Sequence, residues 1–470
     1  MKKSLIWLRN DLRLHDNPAL NAAITHGTTM AIYIREPQKT PTEARDWWLH
    51  HSLISLEKSL NNIGIPLVFA QGHAADVLPT FVNEQNIEKV FWNRRYTPEG
   101  IEIDKQLKET LNATSFTGNL LIEPWEVKNK QGKHFQVFTP MFKELMKRDI
   151  PAPEALLPTQ QEIFTVKSKH TCTLDDFKLI NHSKTWHENF AHHWQVGEHA
   201  AQEKLSNFLN TRIRTYKQGR DFPTSESTST LSPHLHFGEI SAREVWTHVC
   251  VYEDAHDLIN DEQTTCFKSE LAWREFAHQQ LYFYENLDTQ AIKETFNNFP
   301  WQEENDTFKR WTTGQTGIPI VDAGMRELWY TGTMHNRVRM IVASFLTKNL
   351  LQPWQNGAKW FMDTLLDADE AANSASWQWV AGCGLDAAPY FRIFNPVTQG
   401  ERFDENGDYV KKWVPELKDL DKKYIHQPWF SPAFDLQLAN IHLGKTYPHP
   451  MVDLKKTRER ALEAYQHIRA

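Results

Sequence analysis

The chain has 470 residues, 40% of them hydrophobic and 24% charged, with a net charge of −7. That length holds roughly two to four domains of ordinary globular composition, and the acidic balance excludes a protein that binds nucleic acid over its whole surface. Four widely spaced Cys with no CxxC pair exclude a disulfide framework and a thiolate metal site.

The N-terminus, MKKSLIWLRNDLRLHDN, lacks an apolar stretch long enough for a signal peptide. No run approaches the ~18–20 apolar residues of a membrane span, so a cytoplasmic protein is expected. The chain carries 18 Trp beside 26 Phe and 12 Tyr. Rings in that number can fill cores, stack on planar ligands or relay electrons.

The first third alternates apolar runs with helical patterns. Ser4–Leu8, Met30–Ile34, Pro66–Ala70 and Lys89–Trp92 read as buried strands. Between them Leu49, Leu53, Leu56, Leu60 and Ile63 recur at steps of four and three, one face of an amphipathic helix. Strand–helix–strand alternation predicts an α/β domain with a doubly wound parallel sheet over about 1–130. It has no GxGxxG, hence no dinucleotide fingerprint. Residues 131–200 are polar and contain Pro151, Pro153 and Pro158. They read as a connector with few regular elements. From about 201 to 470 strand signals vanish and helical periods dominate, so an all-α domain is expected. Ser241 and Glu244 have the spacing of a capping box that opens a helix.

Four segments of the helical part carry candidate chemistry. Arg212, Arg214, Lys217 and Arg220 are four cations within nine residues with no acid among them. Thr228, Ser229 and Ser232 follow, and Ser232-Pro233 has the form of an N-cap with Pro in the first turn. Hydroxyls at a helix N-terminus suit a diphosphate; a solvated basic helix before a polar loop explains the segment equally. In ELAWREF (270–276), Glu270 and Trp273 lie three apart on one face, which suits a flat polar base edge. A surface Glu beside a core Trp is the simpler alternative. In HNRVRM (335–340), Asn336 and Met340 share a face, and Arg339 enters an apolar helix. A buried Arg needs an acid or phosphate partner, and Asp367 and Asp369 are candidates for a purely structural pair or a ligand site. In AANSASWQW (371–379), Trp377 and Trp379 point about 200° apart on a helix, so one can face a cavity; packing of both in the core is the alternative.

The longest motifs are WLRNDLRLHDNPAL (7–20), RDFPTSESTSTLSPHLHFGEIS (220–241), TGIPIVDAGMRELWYTGTMHNRVRMIVASFL (316–346) and ASWQWVAGCGLDAAPYFRIFNPVTQGERFD (375–404). With ELAWREF, they make the chain resemble the photolyase/cryptochrome superfamily over essentially its full length. RDWWLHHSL (45–53) and HLHFGEIS make it most similar to class III photolyases, which repair cyclobutane pyrimidine dimers.

The resemblance implies that the N-terminal domain serves an antenna chromophore and that the helical domain binds FAD and DNA. It matches Tyr216, Thr228, Ser229, Leu231 and Ser232 to the adenine and diphosphate surroundings. Arg339 and Asp367 match a buried pair beside the flavin, Asp369 a contact near its edge, and Asn373 the residue facing its central reactive nitrogen. Glu270, Trp273, Asn336, Met340 and Trp379 match the cavity for the flipped dimer, and Arg220 a DNA phosphate contact. Glu270 and Asn373 are the implied catalytic residues. Trp377, Trp354 and Trp301 match an electron relay from flavin to surface.

The implied partner is DNA containing pyrimidine dimers, bound by a monomer without membrane contact. Methenyltetrahydrofolate is the implied antenna, lying between the two domains. Because WNRRYTPEG (92–100) departs from the folate-contacting pattern of class I enzymes, no antenna residues are assigned. The alternatives are a cryptochrome photoreceptor and a (6-4) photolyase. Plant cryptochromes carry Asp at the place of Asn373. The (6-4) group carries His where this chain has Asn336 and Met340, and neither residue is a general acid.

Overall fold

The computed structural model describes residues 2–38, 42–159, 168, 170–390 and 392–469. The four apolar runs form β1 (Lys3–Leu8), β2 (Thr28–Arg35), β3 (Leu67–Gln71) and β4 (Lys89–Asn93). Two more strands, β5 (Ala113–Phe116) and β6 (Thr171–Cys172), complete a sheet of order β5-β4-β1-β2-β3-β6. β1 to β5 pair in parallel, and β6 adds an antiparallel edge beside β3. The chain winds outward from β1 in both directions, the doubly wound arrangement. Ile6 and Leu8 enter one core while Leu5 and Trp7 enter the other. That is the alternation of a strand buried on both faces. Helix Glu43–Asn62 buries Leu49, Leu53, Leu56 and Leu60 as the spacing predicts, and Ile63 caps it.

Residues 131–200 hold helix Phe138–Leu145, β6 and the short helix Phe190–His193; residues 160–167 and 169 lie outside the described residues. This stretch is also packed. Phe177, Leu179, Phe190 and Trp194 belong to the hydrophobic core on one face of the sheet. No strand follows Cys172 among the described residues, and the rest is helical. The capping position is formed: the Ser241 hydroxyl accepts from the Glu244 amide at 2.9 Å.

The two halves meet along a buried polar seam. Asp16 is fully buried and takes two hydrogen bonds from Arg243, at 2.8 and 3.1 Å. Arg13, also fully buried, donates to the carbonyls of Asp16, Gly118 and Gly238. Trp48 donates to Glu239 at 3.1 Å, and Glu239 in turn holds His234. Gly238 sits at φ +68°, and a Cβ there would lie 2.0 Å from the Asn10 carbonyl oxygen, so only glycine permits this approach. Further along, Glu275 accepts from the amides of Leu121 and Ile122 at 2.9 and 3.4 Å.

Two predictions follow from the seam. Arg243→Met strands the Asp16 charge and should cost about 3–5 kcal/mol, seen as a lower denaturant midpoint; a midpoint equal to wild type would mean the pair contributes nothing. Burial lifts the Glu275 carboxyl from 4.5 to about 7. A raised folded pKa gives stability that is complete below the unfolded value and lost as pH rises through the folded one. Relative to Glu275→Gln, wild type should therefore lose up to about 3 kcal/mol between pH ~4.5 and ~7.5. A difference that does not vary with pH would contradict this.

Candidate active site

A cavity of about 290 Å³ opens among the helices of the second half. Each helix gives it one face. Asn336, Arg339, Met340 and Ala343 come from helix Asn336–Ser344, and Asn373, Ser376, Trp377 and Val380 from helix Glu370–Ala381. Both sets follow the i, i+3, i+4, i+7 spacing of one helical stripe. Helix Glu262–Phe283 adds Glu270, Leu271 and Arg274, and helix Ser232–Phe237 adds Ser232, Leu235 and His236. Ser232 occupies the first turn of that helix rather than its cap, which is Leu231.

The structure brings together Tyr216, Ser229, Ser232, Glu270, Asn336, Arg339, Met340, Asp367, Asp369, Asn373 and Trp377 as lining residues. Arg339 donates to Asp367 at 2.9 Å and to the Met334 carbonyl at 2.7 Å. Burial pushes the Asp367 carboxyl up, but the Arg339 guanidinium outweighs it and holds it below the usual range. The second oxygen, Oδ1, is buried and finds no partner among the described residues. Asn373 donates to the Ala358 carbonyl at 2.9 Å. Asp369 caps helix Glu370–Ala381 through the Ala372 amide, at 2.8 Å.

Other expected residues stand outside the cavity lining. Trp273 stacks on Phe138 with centroids 3.7 Å apart, because the face it shares with Glu270 curves into the neighbouring core. Trp379 is half-buried against the helical core, on the opposite side of its helix from Trp377. Thr228 and Leu231 lie beside the lining residues Ser229 and Ser232 without facing the cavity. Arg220 is tied to Glu270, so an expected phosphate contact and an expected dimer contact are each other's partners here. The rest of the basic run is engaged too. Arg212 pairs with Glu226 at 3.5 Å, Lys217 with Glu262 at 2.5 Å, and Arg214 bonds the Tyr252 hydroxyl at 3.0 Å. The run is free of acids in sequence but not in space.

Trp377 and Trp354 are buried in one core, and Trp301 packs half-buried against it. A Cβ at Gly357 would lie 2.1 Å from the Trp377 ring. Helix Trp354–Thr364 thus meets Trp377 one turn after Trp354. Trp301 lies 4.3 Å from Phe299, between centroids.

Sequence reasoning missed His236, Arg274 and His278. Glu270, Arg274 and His278 recur at steps of four, a helical stripe that the motif ELAWREF covers only in part. His278 approaches Asp369 at 3.6 Å and His236 approaches it at 3.7 Å. Burial pulls the His278 imidazole down to about 4 against the pull of Asp369.

The DNA photolyase model matches residues 4–158, and the model for the FAD binding domain of DNA photolyase matches residues 267–467. A deoxyribodipyrimidine photo-lyase of Agrobacterium fabrum is 46% identical over 99% of this chain and 98% of its own length. The crystal structure of a class III photolyase from Agrobacterium tumefaciens superposes with a TM-score of 0.96 at 45% identity, covering 100% of this chain and 98% of that one. Cryptochrome-1 of Arabidopsis thaliana is 35% identical over 98% of this chain and 70% of its own. The chain belongs to the photolyase/cryptochrome family. It carries that family's FAD-binding domain, and the cavity fits the cofactor: an unpartnered buried carboxylate oxygen at Asp367 and the Ser229 and Ser232 side chains are polar groups suited to it.

Asp367→Asn removes the anion that pairs Arg339 and offers the free oxygen. Flavin affinity is expected to fall at least about tenfold, which is ~1.4 kcal/mol, measured by titrating FAD into the apoprotein. Retention of wild-type affinity would assign the pair a structural role only.

Proposed function

We propose that this protein is a deoxyribodipyrimidine photolyase that repairs cyclobutane pyrimidine dimers in DNA under blue light. The observation that carries the reading is one cavity with two kinds of wall. Arg339, Asp367 and Asn373 offer polar groups to a flavin, while Glu270, Asn336 and Met340 offer a surface for a flat lesion.

When bound and reduced, FAD supplies on illumination the electron that opens the cyclobutane ring, and the electron returns afterwards with no net redox change. The protein contributes placement and electrostatics. The Arg339–Asp367 pair would hold the cofactor's polar edge, and Asn373, its amide held by the Ala358 carbonyl, would face its reactive centre. Glu270, held by Arg220, orients toward the carbonyl side of the dimer and stabilises the charge that develops there. Asn336 and Met340 pack the other side of the lesion and supply no proton. Extruding a dimer costs a few kcal/mol, less than for an intact pair, because the damaged step stacks poorly. Trp377, Trp354 and Trp301 carry electrons inward to charge the cofactor.

For the second chromophore we propose methenyltetrahydrofolate between the α/β and helical domains. What supports it is the likeness to a class III photolyase over the whole chain.

Illumination of the reduced enzyme with each lesion separately tests the reading. Thymines should be restored from cyclobutane dimers and not from (6-4) products, and Glu270→Gln should keep lesion binding while lowering repair yield, since a charge-assisted bond becomes neutral. Repair of the (6-4) lesion, or no repair of the dimer, would overturn the assignment.

A further inference from the structure

Asp369 stands between two imidazoles, one on the cavity wall and one behind it. His236 lines the cavity and turns Nδ1 toward Asp369 Oδ2, 3.7 Å away. His278 turns Nε2 toward the other oxygen, Oδ1, at 3.6 Å. His278 comes from the next turn of the helix that carries Arg274 and does not line the cavity. Its ring packs edge-on to Tyr96 of the N-terminal half, with centroids 6.4 Å apart at 72°. His236 Nδ1 and both nitrogens of His278 are buried without a hydrogen-bond partner among the described residues. Buried polar atoms left open in this way call for a functional or solvent partner.

The two imidazoles flank the carboxylate, one on each oxygen, with His236 on the cavity wall and His278 behind it against Tyr96. The order is His278 Nδ1, His278 Nε2, Asp369 Oδ1, Asp369 Oδ2, His236 Nδ1 and His236 Nε2. An imidazole can release a proton from one nitrogen while taking one at the other. Both gaps are slightly longer than a hydrogen bond, so small side-chain motions close them. Around the carboxylate stand the cations Arg274 and Arg45 and the acid Glu370; against the effect of burial, the two imidazoles and Arg274 hold Asp369 well below the usual carboxylate range, which disfavours a resting proton there. The groups therefore pass a proton rather than store one.

We propose that His278, Asp369 and His236 form a proton wire that supplies the proton accompanying one-electron reduction of the flavin in the cavity. The inference rests on the reading of this cavity as the flavin site. The flavin gains one electron, drawn from an added thiol by way of Trp377, and one proton from His236 Nε2. His236 recovers a proton at Nδ1 from Asp369, Asp369 from His278 Nε2, and His278 at Nδ1 from water at the seam. One proton moves from solvent to the cavity; each residue ends with the charge it began with, and the two imidazoles end in their opposite tautomers, which must exchange back before a second proton passes. The wire enters from behind, so it works while a lesion fills the mouth and keeps water out.

The test is flash photolysis of the oxidised holoprotein in light and heavy water, following the loss of oxidised-flavin absorbance and the slower rise of the band that marks ring protonation. In wild type the second step should be slowed by heavy water and the first should not. In His278→Phe and His278→Gln, flavin content and the first step should match wild type, while the second slows about a hundredfold, the scale of a lost general acid. An unchanged second step in a flavin-loaded His278 variant would overturn the wire. Wild-type protein that takes up no FAD would instead overturn the reading of the cavity, and the wire with it.

Discussion

A single buried carboxylate, Asp16, holds the two halves in register. It lies in the loop after β1 and takes Arg243 and Ser241 from the opening turn of a helix in the second half. A charge at zero exposure is tolerable only when its lone pairs are filled, so this carboxylate dictates where that helix begins. Arg13, three residues away, imposes the same demand through three carbonyls. The apolar core on that side then crosses the boundary: Phe237 and Leu366 pack with Trp48 and Leu53. Leu366 adjoins Asp367, so the seam positions the cavity's anion.

The cavity repeats this logic with one demand left open. Arg339 is satisfied by Asp367 and the Met334 carbonyl, whereas Asp367 Oδ1 has no hydrogen-bond partner among the described residues. In the seam the carboxylates of Asp16 and Glu275 are filled. An unfilled carboxylate oxygen on the wall of a hollow is the mark of a site built around something the chain does not supply.

How much was legible in the sequence follows from how local each signal is. β1 to β4 are runs of apolar residues buried on both faces, and such runs are visible without context. β5, ATSF, and β6, two residues long, are strands only because a neighbouring edge accepts them. The Arg339–Asp367 pairing was legible because an Arg in an apolar helix asks for an acid, and the two do bond; Glu270 stood out only by its spacing from Trp273, and its partner Arg220 lies 50 positions away. Trp273 and Trp379 stand outside the cavity lining, and helical spacing could not show this because it gives a direction but not what lies in it; Phe138, which Trp273 meets, is 135 positions away. His236 and His278 escaped notice because neither alone violates any local rule. Their meaning arises only when Asp369 is placed between them.

The pairing of the basic run bears on how an acidic protein meets a polyanion. Arg212, Lys217 and Arg220 each face an acid from elsewhere in the fold. A phosphate that engages Arg220 competes with Glu270, so contact with the backbone and freedom of the lesion-facing carboxylate are linked. Exposed pairs such as Lys217–Glu262 resist little, since each is worth about 0–1 kcal/mol. The half-buried Arg220–Glu270 pair resists more, because parting it leaves each charge partly desolvated. Undamaged DNA offers only the phosphate and gives Glu270 nothing in return. A flipped dimer offers both, a phosphate for Arg220 and carbonyl-side groups for Glu270. With Arg220 and Glu270 in the roles proposed for them, selectivity for the lesion would come from exchanging one ion pair for two new contacts, and it would need no net positive surface.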